Sequence, residues 1–203
     1  MICLFEQSEE IILASASPRR LELLSQVGLA FSVQPAHVDE TPLPNEPAKE
    51  MVERLAYAKA VAGDFPGWRL GADTTVVLDG EVLGKPDHEA HAQQMLGRLQ
   101  GRMHEVWGAF CLFRKRDGRT FVQSHMSRVW IVPMSADEIA RYVATREPMD
   151  KAGSYAIQGL GTQLVSRVEG SYTNVVGLNV AACVAAMRTL GIVGSSPDKS
   201  GSK

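Results

Sequence analysis

The sequence predicts an α/β protein with a mixed sheet, and three observations carry that reading. A short apolar run, residues 11–14, passes through small hydroxyl residues into Pro18 and a leucine-spaced helix, the strand-to-helix step of an α/β chain. Two long strand-like runs, HEVWGAFCLFRK and RTFVQSHMSRVWIVP, meet at Arg116-Asp117-Gly118 and read as an antiparallel hairpin. Helix-period segments alternate with strands along the rest of the chain.

Taken in order, residues 11–14 are apolar and partly β-branched, which marks a buried strand. Ser17 is placed to cap the next helix, and Pro18 suits its first position. Leu21, Leu24 and Val27 give that helix an apolar stripe ended by Gly28. FSVQPA is a second strand, followed by the proline-punctuated loop ETPLPNEP, and a helix is expected over 48–62. LGADTTVVLDGEVLGKP supplies a strand, a DG turn and a second short strand. Residues 88–99 read as a helix, and the long hairpin comes next. Ser135 and Glu138 form a capping-box pattern that opens a helix over 136–144. DKAGSYAIQGLG is loop-rich, TQLVSRVEG is a strand, and a closing helix covers 180–190. The punctuated segments 14–20, 36–47, 71–75, 84–86 and 149–161 are expected to converge on one cleft. One domain is expected over 1–194, and the small, polar stretch 195–203 as a flexible tail.

Composition narrows the partners. The formal net charge is -2, so there is no overall basic field to hold nucleic acid, and an anionic ligand must be met by a local cluster of cations. Cys3, Cys111 and Cys183 are odd in number, form no CxxC pair and sit in apolar settings, as reduced, buried thiols do. His88 and His91 lie three apart in an expected helix with no third ligand type nearby, a solvated face rather than a zinc site. No apolar run approaches the roughly 18–20 residues of a membrane span. The opening MICLFEQSEE turns acidic too soon for a signal peptide. A cytoplasmic address without membrane contact follows.

Five stretches carry chemistry. In SASPRR, a helix N-terminus, Ser15, Ser17, Arg19 and Arg20 suit phosphate oxygens; the same residues also fit a plain cap with surface ion pairs to Glu22. In GADTTVV, Asp73 beside a β-branched run needs a partner if buried. It can hold Mg²⁺, orient a water and take its proton, or be satisfied by backbone amides. In HVDET, Asp39 and Glu40 point to opposite faces of an extended chain. One can then reach a metal while the other meets water or a basic neighbour; a solvated loop edge also fits, and better when the pair is taken alone. Lys85 in LGKP and Lys151 in DKAG sit in stiff turns suited to point contacts with phosphate, or to solvent. Together, Arg19, Arg20, Lys85 and Lys151 with Asp39, Glu40, Asp73 and Asp150 are the inventory for a polyphosphate and a divalent metal. They do not say which phosphorus is attacked.

LASASPRRLELL, GADTTVVLDGEVLGKP, EPMDKAGSYAIQGLG and GSYTNVVGL, in that order, resemble the successive motifs of the Maf family of nucleoside triphosphate pyrophosphatases, related in fold to inosine triphosphatases. The resemblance runs over residues 11–191. It implies a two-lobed fold around an elongated mixed sheet flanked by helices, with a cleft between the lobes, and hydrolysis between the α- and β-phosphates, as house-cleaning of the nucleotide pool. It implies Asp73 as general base or water-orienting acid beside Mg²⁺ or Mn²⁺. It implies Asp39 and Glu40 near the metal, with Asp39 the nearer, and Ser15, Ser17, Arg20, Lys85 and Lys151 on the triphosphate. Asp150 would orient Lys151 or a metal-bound water. A homodimer is also implied.

Base preference follows from the same resemblance. The subgroup acting on dTTP and UTP carries arginine, lysine and glutamine where this chain has Arg19, Lys59 and Gln158. The 7-methyl-GTP subgroup carries tryptophan and two acids, which suit a cationic base. Gln158 offers a donor and an acceptor to a pyrimidine edge, and Thr74 is placed against base or ribose. CTP or a modified pyrimidine remains open as substrate. So do a 7-methyl-GTP pyrophosphatase and a nucleotide-binding regulator of septum formation with little turnover. Asn179 where the family has proline, Trp107-Gly108 and Ala16 depart from the pattern.

Overall fold

The computed structural model describes residues 5–195. In chain order its first elements are β1 (Phe5–Gln7), β2 (Ile11–Leu13), α1 (Pro18–Gln26), β3 (Phe31–Val33), α2 (Ala48–Val61), β4 (Trp68–Leu78) and β5 (Glu81–Leu83). There follow α3 (Glu89–Leu99), β6 (Met103–Arg114), β7 (Arg119–Ile131) and α4 (Ala136–Ala144). After three 3₁₀ turns (Glu147–Asp150, Ala152–Ser154 and Gly159–Leu164) come β8 (Val165–Glu169), α5 (Tyr172–Val176), α6 (Val180–Thr189) and β9 (Val193–Ser195). The main sheet runs β3-β2-β4-β6-β7-β8, with β5 added beside β4, while β1 and β9 form a separate antiparallel ribbon.

β4 is the pivot of the sheet, because its two edges are used differently. Along one edge β6 pairs antiparallel with residues 68–77. Along the other, β2 pairs parallel with 68–70 and β5 antiparallel with 76–78. Residues 71–75 therefore have no strand beside them on that edge, and the sheet is open at that level.

Side chains alternate across β4. Trp68, Leu70 and Ala72 belong to one apolar cluster with α1 and α6, whereas Val76 and Leu78 belong to a second with α3 and α4. Thr74 stands between the two cores, so the lobes divide there. On the opposite face Val52, Ala56 and Ala60 of α2 pack with Ala109 and Cys111, the cross-strand partners of Asp73 and Gly71. A side chain at Gly71 would collide with the Ala56 carbonyl and the Ala60 backbone. Its absence lets α2 lie tight against β4.

Local signals set several ends. Ser135 Oγ accepts from Glu138 N at 3.3 Å, and the Glu138 carboxylate accepts from Ser135 N at 2.7 Å, the expected capping box. The hairpin turn closes through Gly118 at φ 69°. There Arg114 grips Asp117 and Glu9 at 2.6 Å each and lies 4.7 Å over the Trp68 ring. Asn179, a departure from the family pattern, caps α6 by accepting from Ala182 N at 3.2 Å. Gly108 is required where Asn174 comes close, since any Cβ there would strike its side-chain oxygen.

The structure corrects some expectations. Leu21 is 40% exposed, and α1 instead buries Arg20, Leu23 and Leu24. Ser17 holds the cap position of α1 without a side-chain capping bond. His88 is the cap of α3, accepting from His91 N, rather than a helical residue. The segment 159–164, read partly as strand, is a 3₁₀ turn, and β1, β9 and α5 were not anticipated. Cys111 and Cys183 are buried, with burial pushing each thiol up to about 12; Cys3 and most of the expected tail lie outside the described residues. Among the described residues no helix is long and apolar enough to cross a membrane.

His104, 1% exposed, bonds through Nε2 to the Tyr155 hydroxyl at 2.8 Å, and burial pushes its pKa down to about 4. The fold therefore holds it neutral, while the unfolded chain protonates near the ordinary value of 6.5. Below that value the unfolded state binds the extra proton, so stability is lost as pH falls from 6.5 toward 4. Urea unfolding should show wild type losing about 3 kcal/mol more than His104→Gln between pH 7.5 and pH 4. Parallel pH profiles would contradict this account.

Candidate active site

The gap beside residues 71–75 of β4 opens into a cleft of about 640 Å³. The β2–α1 turn, the segment after β3, α2, the loop after β5, the turns at 147–159 and the end of α5 all line it. Asp73 and Thr74 point to opposite faces of β4, yet both line the cleft, because no neighbouring strand separates the faces at this level.

On the Thr74 face the centre is Arg20, only 9% exposed. Its Nε donates to Gly177 O at 2.9 Å, Nη1 to Ser15 Oγ at 3.1 Å and Nη2 to Thr74 Oγ1 at 3.4 Å. Burial draws the Arg20 pKa down, with Asp73 opposing; a guanidinium stays charged regardless. Ser15 Oγ also accepts from Ser17 N at 3.2 Å. With two donors already on that oxygen, the Ser15 hydroxyl keeps its own proton for a ligand in the cleft. Thr74 Oγ1 donates to Gly177 O at 3.2 Å.

On the other face Lys59 reaches up from α2, its Nζ 2.7 Å from Asp73 Oδ1 and 2.7 Å from Glu40 Oε1. Burial pushes the Asp73 carboxyl above the ordinary range, against the pull of Lys59 and Arg20. Burial acts the same way on Glu40, but Lys59, Lys85 and Arg20 outweigh it and hold that carboxyl low. Lys59, marked as a base-preference residue, has its ammonium taken by two carboxylates. Asp39, expected nearest a metal, does not line the cleft; it accepts from Thr41 N at 2.9 Å and is exposed. Glu40 is the member of that pair on the cleft side.

The outer wall is cationic. Lys151 Nζ lies 2.6 Å from Asp150 Oδ1 and 2.5 Å from Glu147 O. Arg19 reaches across the cleft from α1 to Asp150 at 3.0 Å. Burial would raise the Asp150 carboxyl, but Lys151 and Arg19 hold it below the ordinary value. Lys85 is exposed on the same cleft, and Gln158 lines it half-buried, with no side-chain hydrogen bond to another described residue. Ser17 lines it as well.

Of the sequence candidates, all but Asp39 therefore share one cleft. The sequence reading missed Glu147 and Gly177, which line it too. Glu147 stands in the quoted EPMDKAG, but nothing in its spacing separates it from a surface glutamate.

No three acidic, histidine or cysteine side chains gather to hold a metal among the described residues. Two of the cleft's carboxylates, Glu40 and Asp73, stand on either side of the Lys59 ammonium. That donor set fits Mg²⁺ or Mn²⁺, which bind through one or two carboxylates and complete their shell with substrate phosphate oxygens. It does not fit a structural zinc site.

Several proteins resemble this chain over most of its length. The dTTP/UTP pyrophosphatase of Syntrophus aciditrophicus is 45% identical over 195 residues, 95% of each chain. That of Geobacter sulfurreducens is 47% identical over 185 residues, 89% of this chain and 96% of that one. That of Symbiobacterium thermophilum is 49% identical over 173 residues, 84% of this chain and 88% of that one. Among solved structures, the Staphylococcus aureus Ham1 protein aligns with a TM-score of 0.48 and 16% identity, covering 90% of this chain and 97% of that one. Residues 10–190 match the family described as Maf-like protein. The chain belongs to the Maf family.

Proposed function

We propose that this protein is a nucleoside triphosphate pyrophosphatase that hydrolyses dTTP and UTP to the nucleoside monophosphate and pyrophosphate. The observation that carries this reading is a buried carboxylate, Asp73, at the floor of a cleft whose walls bear Arg19, Arg20, Lys85 and Lys151. The relatives named dTTP/UTP pyrophosphatase support the substrate class. The cytoplasmic address, expected from the sequence, and the homodimer, implied by the family resemblance alone, remain part of this proposal.

The work divides by position. The Ser15 hydroxyl, Arg20, Lys85 and Lys151 hold the triphosphate, a polyanion that fixed cations bind without reorganising. Ser17 flanks that grip at the start of α1. Asp73 aligns a water and takes its proton, and a raised pKa improves its basicity for that task. Lys59 keeps Asp73 ionised and in place. Glu40 and Asp73 are the residues that would hold Mg²⁺ or Mn²⁺. Bound there, the ion would neutralise charge developing on the phosphate oxygens. Asp150 orients Lys151 and Arg19. Arg19, Thr74 and Gln158 lie where the base and ribose are selected.

The test is product analysis with Mg²⁺ and UTP, dTTP, CTP, 7-methyl-GTP and ATP in H₂¹⁸O. Pyrophosphate with UMP and dTMP is expected. Turnover confined to 7-methyl-GTP would overturn the base reading, and release of orthophosphate from UTP would overturn the bond assignment. The position of the ¹⁸O label identifies the phosphorus that water attacks.

A further inference from the structure

Glu147 does something in this cleft that neither the triphosphate nor the metal explains. Its Oε1 accepts from the Tyr142 hydroxyl at 2.9 Å and from Gly161 N at 2.8 Å, and its Oε2 accepts from Leu160 N at 2.9 Å. The Tyr142 oxygen in turn accepts from Ala156 N at 3.1 Å. Backbone donors on both sides of Gln158 are therefore tied to one carboxylate–phenol pair. The loop is wrapped so closely that side chains cannot fit. A Cβ at Gly159 would strike Glu147 Oε2, and one at Gly161 would strike Ala156 O and stand 2.7 Å from the Tyr142 oxygen. Gly159 also takes φ +64°, a conformation that disfavours any other residue.

Charge-assisted hydrogen bonds are among the stronger ones, and two from backbone amides with a third from a phenol, all on one half-buried carboxylate, fix a loop firmly. Hydrogen bonds from the two amides and the phenol outweigh the cost of burial and hold the Glu147 carboxyl below its ordinary range. Glu147 stays ionised at neutral pH, with its acceptor sites facing the loop. Its own carbonyl takes Lys151 Nζ, so the same residue links the phosphate wall to the Gln158 loop.

A glutamine side chain can present its amide either way round. It discriminates between a uracil edge and a cytosine edge only if the backbone beneath it holds one pose, which is a preorganisation requirement. We propose that Glu147, acting with Tyr142, is a positioning residue for base selection: it fixes the loop that carries Gln158 and does not touch the reacting atoms. This rests on the reading that Gln158 meets the base.

The experiment measures kcat and KM for UTP and CTP in wild type, Glu147→Gln, Tyr142→Phe and Gln158→Ala. In Glu147→Gln an amide NH₂ must face at least one backbone N–H, so the clamp loses a bond and its charge. Its preference for UTP over CTP should fall about tenfold, with the loss in KM more than in kcat. Tyr142→Phe should change the preference in the same direction by a smaller factor, and the double variant should be less than additive. If Glu147→Gln does not fold, Tyr142→Phe carries the test. A wild-type preference kept in folded Glu147→Gln and Tyr142→Phe but lost in Gln158→Ala would overturn the positioning role. A preference kept in Gln158→Ala would overturn the underlying reading instead. Equal losses for both nucleotides in Glu147→Gln would mark it as merely structural.

Discussion

Asp73→Asn is expected to lower kcat for UTP and dTTP by about 10³-fold, within the range that a positioned general base contributes, in a protein that still folds. Asparagine keeps the shape of the side chain and one acceptor for the Lys59 ammonium, which also keeps Glu40 at 2.7 Å. What it cannot do is take a proton from water. The pH dependence separates this role from simple binding. Burial pushes the Asp73 carboxyl above its ordinary 3.8, so in wild type the acid limb of kcat/KM lies above that value. The sign for stability is the reverse of a usual salt-bridged aspartate. The fold binds the Asp73 proton more tightly than the unfolded chain does, so its contribution is lost as pH rises through the window above 3.8. Urea titrations of Asp73→Asn should therefore gain on wild type toward neutral pH. Pyrophosphate release within tenfold of wild type in the variant would remove Asp73 from the chemistry.

How much of the fold and cleft is legible in the sequence comes down to which forces are local. The strand-to-helix step at Pro18, the capping box at Ser135 and the 103–131 hairpin are written in neighbouring residues, and the structure reproduces them. β1 and β9 are three residues each and pair only with each other. Nothing near either one signals the other. Leu21 and Leu24 have helical spacing, but so do Arg20, Leu23 and Leu24. The second set is buried because Arg20 finds three oxygen partners inside the cleft, which no hydrophobic pattern reveals. At HVDET, alternation gave opposite faces to Asp39 and Glu40. It did not say which face the cleft would occupy, since that depends on where α2 lies. The position of α2 depends in turn on Gly71, whose missing side chain admits Ala56 and Ala60 and so brings Lys59 to Asp73.

That dependence makes Lys59→Met the sharpest test of how the cleft is held together. Lys59 and Asp73 side chains are 8% and 10% exposed, while Glu40 is 56% exposed. Removing the ammonium leaves Asp73 buried opposite a like charge, and breaking a buried pair from one side costs about 3–5 kcal/mol. Glu40 adds little, because its carboxylate is solvated. Asp73 has an escape: losing Lys59 removes the charge and hydrogen bond that pulled its pKa down, so the carboxyl takes up a proton more readily. The expected loss of stability is therefore near the lower end, about 3 kcal/mol. It comes with a drop in kcat/KM of about 10²-fold, because a carboxyl shifted further toward its protonated form and no longer held in place by Lys59 is a poorer acceptor of a proton from water. Raising the pH should restore a larger share of activity in the variant than in wild type, the signature of a base with a displaced pKa rather than of a broken binding site. The double variant Lys59→Met/Asp73→Asn separates charge from packing. With no buried carboxylate left to strand, it should be more stable than Lys59→Met alone although it carries one more substitution, a non-additivity expected only of partners in contact. Additive losses in the double variant, with no recovery at high pH, would mean that Lys59 serves α2 packing and leaves the protonation of Asp73 untouched.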